Sequence, residues 1–211
     1  MTLVAFDFDG TLSDDEMIVL LGEQAGAAAE IADVTQRAME GTLSYAESLR
    51  ERAALLSGVT EAEAAEAYGQ VRLREGTVDL LRALEDAGVE TAILTGGFED
   101  GVRDALDRNG VSVDRIVANR LPAADGALTG DVEGPLIEGT KDDALAGLAD
   151  DLGIPMAETV AVGDGANDVP MLSAAGFSVG FRPKSGVDEH CDVVVETMDE
   201  LATVLGERGV L

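Results

Sequence analysis

At 211 residues, 46% hydrophobic but only 3% aromatic, the chain has room for one medium domain, or a core with an insert, built on aliphatic packing. Forty-two acids against 14 bases leave a net charge of −28, with no basic stripe to meet the phosphates of a nucleic acid. No apolar run nears the ~18 residues of a membrane span, and an apolar run already at Leu3 leaves no room for a leader. Cys191 is the only cysteine, so an intrachain disulfide is excluded and a reducing cytoplasm fits. The acids are spread along the helical stretches rather than gathered in a tail, which argues against a disordered segment. Such self-repulsion is relieved when the Debye length falls to ~3 Å at 1 M salt, so a salt-loving cytoplasm is expected.

The first element is the run Leu3–Phe6, read as a buried strand that ends in Asp7, Asp9 and a bend at Gly10. Residues 14–75 carry no convincing strand and are rich in Ala, Glu and Leu. Helical spacing over Met17–Ala25 and Ala46–Leu56 marks two helices there. Ser44 with Glu47, and Thr60 with Glu63, form capping-box patterns. A helical insert of three or four helices is therefore expected at 14–75, within a core of residues 1–13 and 76–211.

An amphipathic helix Val78–Ala87 stops at Gly88, and alternation then sets in. Strands are expected at Thr91–Thr95, Arg115–Asn119, Thr159–Val162, Phe177–Phe181 and Asp192–Val195. Helices are expected from beyond Gly97 to Asn109, over Lys141–Leu152, Asp168–Ala175 and Met198–Leu205. Asp125-Gly126 signals a small hairpin between Leu121 and Leu128. Strand–helix alternation of this kind implies an α/β fold, a parallel sheet with helices on both faces.

Sites on such sheets form at the carboxyl ends of the strands. After the first strand come Asp7, Asp9 and Thr11; after the second, Thr95, Gly96 and Gly97; after the strand at Val160, Asp164, Asn167 and Asp168. Lys141 opens the helix before that strand, where the helix dipole disfavours a cation, so a specific role is expected for it. Carboxylates for a divalent cation, glycines that bare backbone N–H groups, and one lysine are the parts of a phosphoryl site. His190 and Cys191 stand apart from other ligand types and read as structural.

The motifs Asp7-Phe8-Asp9-Gly10-Thr11, Thr95, Lys141 and Gly163-Asp164-Gly165-Ala166-Asn167-Asp168 stand in the order of the haloacid dehalogenase-like superfamily, which the chain resembles. Finer likenesses are Glu16, Leu49-Arg50-Glu51-Arg52, Thr95-Gly96-Gly97-Phe98, Ala118-Asn119-Arg120-Leu121 and Thr129-Gly130-Asp131-Val132-Glu133-Gly134. They resemble the branch that hydrolyses O-phosphoserine in serine biosynthesis. Gly10 and Thr95 depart from that branch, which usually carries serine at both places. The resemblance implies a Rossmann-like three-layer core with an inserted helical cap, and a Mg²⁺-dependent phosphatase acting through an aspartyl-phosphate.

By the same resemblance Asp7 is the nucleophile and Asp9 the proton donor and acceptor. Asp7, the Asp9 carbonyl and Asp164 hold the metal, with Asp168 behind them. Lys141, Thr95, Gly96 and Gly97 bind the phosphoryl group, and Asn167 contacts it or orients its loop. Glu16 takes the substrate ammonium and Arg52 its carboxylate; Met39 and Tyr45 floor the pocket. Read alone, Glu16 is one more solvated helix acid and Arg52 a partner for a neighbouring acid. The partner implied is a small phosphomonoester, with no nucleic acid or membrane, for a monomer or homodimer. Alternatives are a related phosphatase, a phosphotransferase using another alcohol, an inactive scaffold, or a non-catalytic phospho-receiver. A helical insert and an acid after the first strand argue against the receiver.

Overall fold

The computed structural model covers residues 1–211. β1 (Leu3–Phe6) is wholly buried at the middle of a six-stranded, all-parallel sheet. With β2 (Glu90–Phe98), β3 (Arg115–Asn119), β6 (Thr159–Gly163), β7 (Phe177–Phe181) and β8 (Val193–Val195), the strand order is β3-β2-β1-β6-β7-β8. Strand order reverses at β1, and a crevice opens at such a switch point beyond the carboxyl ends of the strands. Side-chain alternation supplies the two faces. Val4 and Phe6 join the larger core with Leu80, Leu84, Val102 and Leu201 from α5 (Thr77–Asp86), α6 (Glu99–Asn109) and α9 (Met198–Glu207). Leu3 and Ala5 join the smaller core with Leu145 and Ala149 of α7 (Lys141–Leu152) and Met171 and Leu172 of α8 (Val169–Ala174).

Residues 14–75 hold four helices, α1 (Met17–Gln24), α2 (Ala28–Met39), α3 (Tyr45–Ala54) and α4 (Glu61–Tyr68). Both capping boxes are formed. Ser44 Oγ accepts from Glu47 N and Thr60 Oγ1 from Glu63 N, while the Glu47 and Glu63 carboxylates return to the cap N–H groups. The chain leaves and re-enters the sheet side by side: Asp14 N donates to Arg72 O and Arg74 N to Leu12 O. Arg74 also donates to the carbonyls of Thr11 and Gly10 at 3.1 and 3.0 Å. On the far side the small hairpin of β4 (Ala123–Ala124) and β5 (Ala127–Leu128) meets the insert, with Leu128 N donating to Val59 O at 2.7 Å. Its turn places Asp125 and Gly126 at φ +53° and +82°, which the Asp-Gly pair tolerates.

One expectation needs correction. The second strand does not stop at Thr95 but runs through Gly96 and Gly97 to Phe98. The pairing with β3 shifts register between Leu94 and Phe98, and the Asn119 amide donates to Gly96 O at 3.0 Å. A side chain thus does the pairing that the irregular ladder omits. No helix is long and apolar enough to cross a membrane.

Candidate active site

Asp7 continues the Leu3–Ala5 direction, toward the start of α7, and its N–H donates to Val162 O at 2.8 Å. Lys141, the first residue of α7, meets it there. Its Nζ donates to Asp7 Oδ1 at 2.6 Å and to Asp168 Oδ1 at 2.5 Å, and all three residues are buried. Burial alone would lower the Lys141 pKa, but Asp168 and Asp7 outweigh it and hold the ammonium charged. Asp168 Oδ2 accepts from the N–H groups of Asp164 and Gly165 at 2.9 and 2.8 Å. Both of its oxygens are therefore engaged within the site.

Asp164 faces a group to which the motifs assign no role. Lys184, beyond the end of β7, has its Nζ 3.0 Å from Asp164 Oδ2 and its N–H 2.7 Å from the Asp164 carbonyl. The only two lysines of this acidic chain thus both point into one cluster of carboxylates. The signal in the sequence was their scarcity.

Burial, then the charge of Asp168, pushes Asp7 up to about 7 against the opposing pull of Lys141. Asp9 is pushed well above the carboxylate range by burial and by the charges of Asp7 and Glu16. Its Oδ1 is buried without a hydrogen-bond partner, as is the Thr11 hydroxyl. Burial and neighbouring like charge both favour the protonated form of such a carboxyl.

Thr95 Oγ1 accepts from Gly97 N at 2.9 Å. A Cβ on Gly97 would stand 2.5 Å from Met17 Cε and 2.8 Å from Asp9 Oδ2, so only glycine lets the strand end approach this closely. Gly10, at φ +86°, brings the chain against Asp164, whose Oδ2 would lie 2.6 Å from a Cβ. Glycine is what this bend takes where the resembling branch carries serine.

The residues expected to read the substrate sit on the insert. Glu16 is the exposed N-cap residue of α1, with Oε1 3.7 Å from Lys184 Nζ. Arg52 is half-buried, donates to Ser48 O at 3.3 Å, and has Tyr45, Glu16 and Asp9 as its charged or polar neighbours. Asn167 borders a cavity of 280 Å³ together with Lys141, Gly96 and Tyr45. Met39 is the exception: it is 77% exposed and floors nothing.

Carboxylate oxygens of Asp7, Asp164 and Asp168 lie within 4.8 Å of one another. With Asp9, four carboxylates face two ammonium groups, so the donor set fits a hard divalent cation that takes oxygen ligands. Carboxylates, a buried lysine and glycine-bared N–H groups at the carboxyl edge of a parallel sheet define a phosphoryl-handling class of site. A profile of haloacid dehalogenase-like hydrolases matches residues 4–173, and the chain belongs to that family. It is 57% identical to a phosphoserine phosphatase of Halobacterium salinarum over all of both chains. It is 37% identical to one of Methanocaldococcus jannaschii, covering 93% of each. A solved phospho-aspartyl intermediate analogue of phosphoserine phosphatase superposes with a TM-score of 0.88 at 36% identity, covering 96% of this chain and 98% of the other. A substrate-bound phosphoserine phosphatase gives 0.88 at 36%, covering 98% and 97%.

Proposed function

We propose that the chain hydrolyses O-phosphoserine to serine and phosphate through an aspartyl-phosphate on Asp7. The observation that carries the chemistry is Lys141, clamped between Asp7 and Asp168, beside Asp9, whose carboxyl is pushed well above the carboxylate range by burial and like charges. The substrate rests on the relatives and on Glu16 and Arg52, an anion and an unpaired cation above the site, suited to an ammonium and a carboxylate.

Lys141 holds Asp7 Oδ1, which fixes the carboxylate while its other oxygen attacks phosphorus. As the bond from phosphorus to the serine oxygen breaks, Asp9 gives its proton to that oxygen, which would otherwise leave as a strongly basic alkoxide. Asp9, now a carboxylate, takes a proton from water. The water oxygen bonds to phosphorus and Asp7 is released. Thr95, oriented by the Gly97 N–H that donates to its Oγ1, and the backbone at Gly96 hold phosphoryl oxygens beside Lys141, and Asn167 borders the same cavity. Asp7, Asp164 and the Asp9 carbonyl would hold Mg²⁺, which when bound screens the repulsion between carboxylate and phosphate.

Residues 14–75 act as a lid on the core of 1–13 and 76–211. The paired segments around Asp14 and Arg72 serve as its hinge and the contact with the β4–β5 hairpin as its rest. Shutting the lid keeps water from the ester until Arg52 and Glu16 have engaged it.

A phosphate-release screen over phosphoserine, phosphothreonine, sugar phosphates and nucleotides, with Mg²⁺ and high KCl, tests the proposal. Phosphoserine should give the highest kcat/KM; a clear preference for another ester overturns the substrate reading.

A further inference from the structure

Tyr45 is the first residue of α3, directly after the Ser44 cap, so the capping box that closes that turn also fixes where Tyr45 points. Part of its ring is in solvent, yet its hydroxyl lies inside the site, against Gly96. A Cβ on Gly96 would stand 1.9 Å from Oη and 3.0 Å from Cζ. Absence of a side chain at Gly96 is thus the condition for the hydroxyl to be there at all. The hydroxyl makes no hydrogen bond within the protein, and partial desolvation raises its pKa, so it remains an O–H donor. Lys141 is its strongest charged neighbour, ahead of Arg52, Asp7 and Asp9. The same ring walls the 280 Å³ cavity with Gly96, Lys141 and Asn167.

A hydroxyl in a cavity wall with no partner in the protein is left free to donate to a ligand that enters the cavity. The groups round it are those that handle a phosphoryl anion. We propose that the Tyr45 hydroxyl donates a hydrogen bond to a phosphoryl oxygen of the bound ester, so that a group carried by the lid completes the phosphoryl cradle when the lid is shut. Lid closure is then read by the part of the substrate that reacts, in addition to the amino-acid part held by Glu16 and Arg52. The inference rests on the phosphomonoesterase reading of the site, though not on serine as the alcohol.

Tyr45→Phe removes the hydroxyl and keeps the ring. It should lower kcat/KM about three- to tenfold, the worth of one hydrogen bond, on both p-nitrophenyl phosphate and phosphoserine. The inhibition constant of inorganic phosphate should rise by a similar factor while that of serine stays put. Unchanged p-nitrophenyl phosphate turnover and phosphate inhibition would overturn the proposal. So would a loss confined to phosphoserine with weakened serine inhibition, which would assign the hydroxyl to the amino-acid part. If the native enzyme ignores phosphoserine but the variant shows the expected loss on p-nitrophenyl phosphate and on phosphate inhibition, the substrate reading fails and this inference stands.

Discussion

Asp7 and Asp9 are separated by one residue and differ in their surroundings more than in their chemistry. Asp7 is clamped by Lys141, whereas Asp9 has a buried oxygen with no hydrogen-bond partner. In the proposed mechanism a proton on Asp9 matters in proportion to how poorly the alcohol leaves. In Asp9→Asn, p-nitrophenyl phosphate should still give a burst of p-nitrophenol close to one per site, because a phenolate departs without an acid, followed by very slow turnover. Phosphoserine should give no burst, and equal bursts from both esters would remove Asp9 from the proton-donor role. Arg52→Ala should raise KM for phosphoserine far more than for p-nitrophenyl phosphate, since only the former has a carboxylate. Gly97→Ala forces a Cβ between Met17 and Asp9 and should lower kcat while thermal unfolding shifts by about 1–3 kcal/mol.

Among the elements, β2 and the loops beyond it show what patterning conveys and what it leaves out. The aspartates, Lys141 and the boundaries of α7 were legible, because each depends on local spacing and caps. The extended path of Gly96 and Gly97 was not, because it depends on Asn119, over twenty residues away, whose amide donates to Gly96 O and whose Oδ1 accepts from Leu136 N at 3.1 Å. Lys184 was equally hidden: only the return of β7 to the same sheet edge brings it to Asp164. The direction of the Tyr45 hydroxyl is set by a cap and a glycine, which residue type alone does not reveal. Asn119→Ala should leave two groups unsatisfied and cost about 2–4 kcal/mol in denaturant unfolding, with KM raised as the loop at Gly96 loosens.

For the whole molecule, the charge of −28 sits on an otherwise ordinary aliphatic core, and most ion pairs are exposed, such as Arg103–Glu99 and Arg108–Asp104 one helical turn apart. Pairs of that kind contribute little, so they do not offset the repulsion among 42 acids. Screening does. The midpoint of thermal unfolding should climb steadily from low to molar KCl; equal stability at both would contradict the electrostatic account.

The sheet, its lysine and its helical insert come together in one proposal, that phosphorus is carried on Asp7. The direct measurement is to quench the enzyme during turnover of phosphoserine with Mg²⁺, reduce it with borohydride, and sequence its peptides by mass spectrometry. An acyl phosphate at Asp7 is reduced to homoserine, and the account predicts homoserine at position 7 alone, absent without substrate. Turnover with an unaltered Asp7, or conversion at another carboxylate, would contradict it.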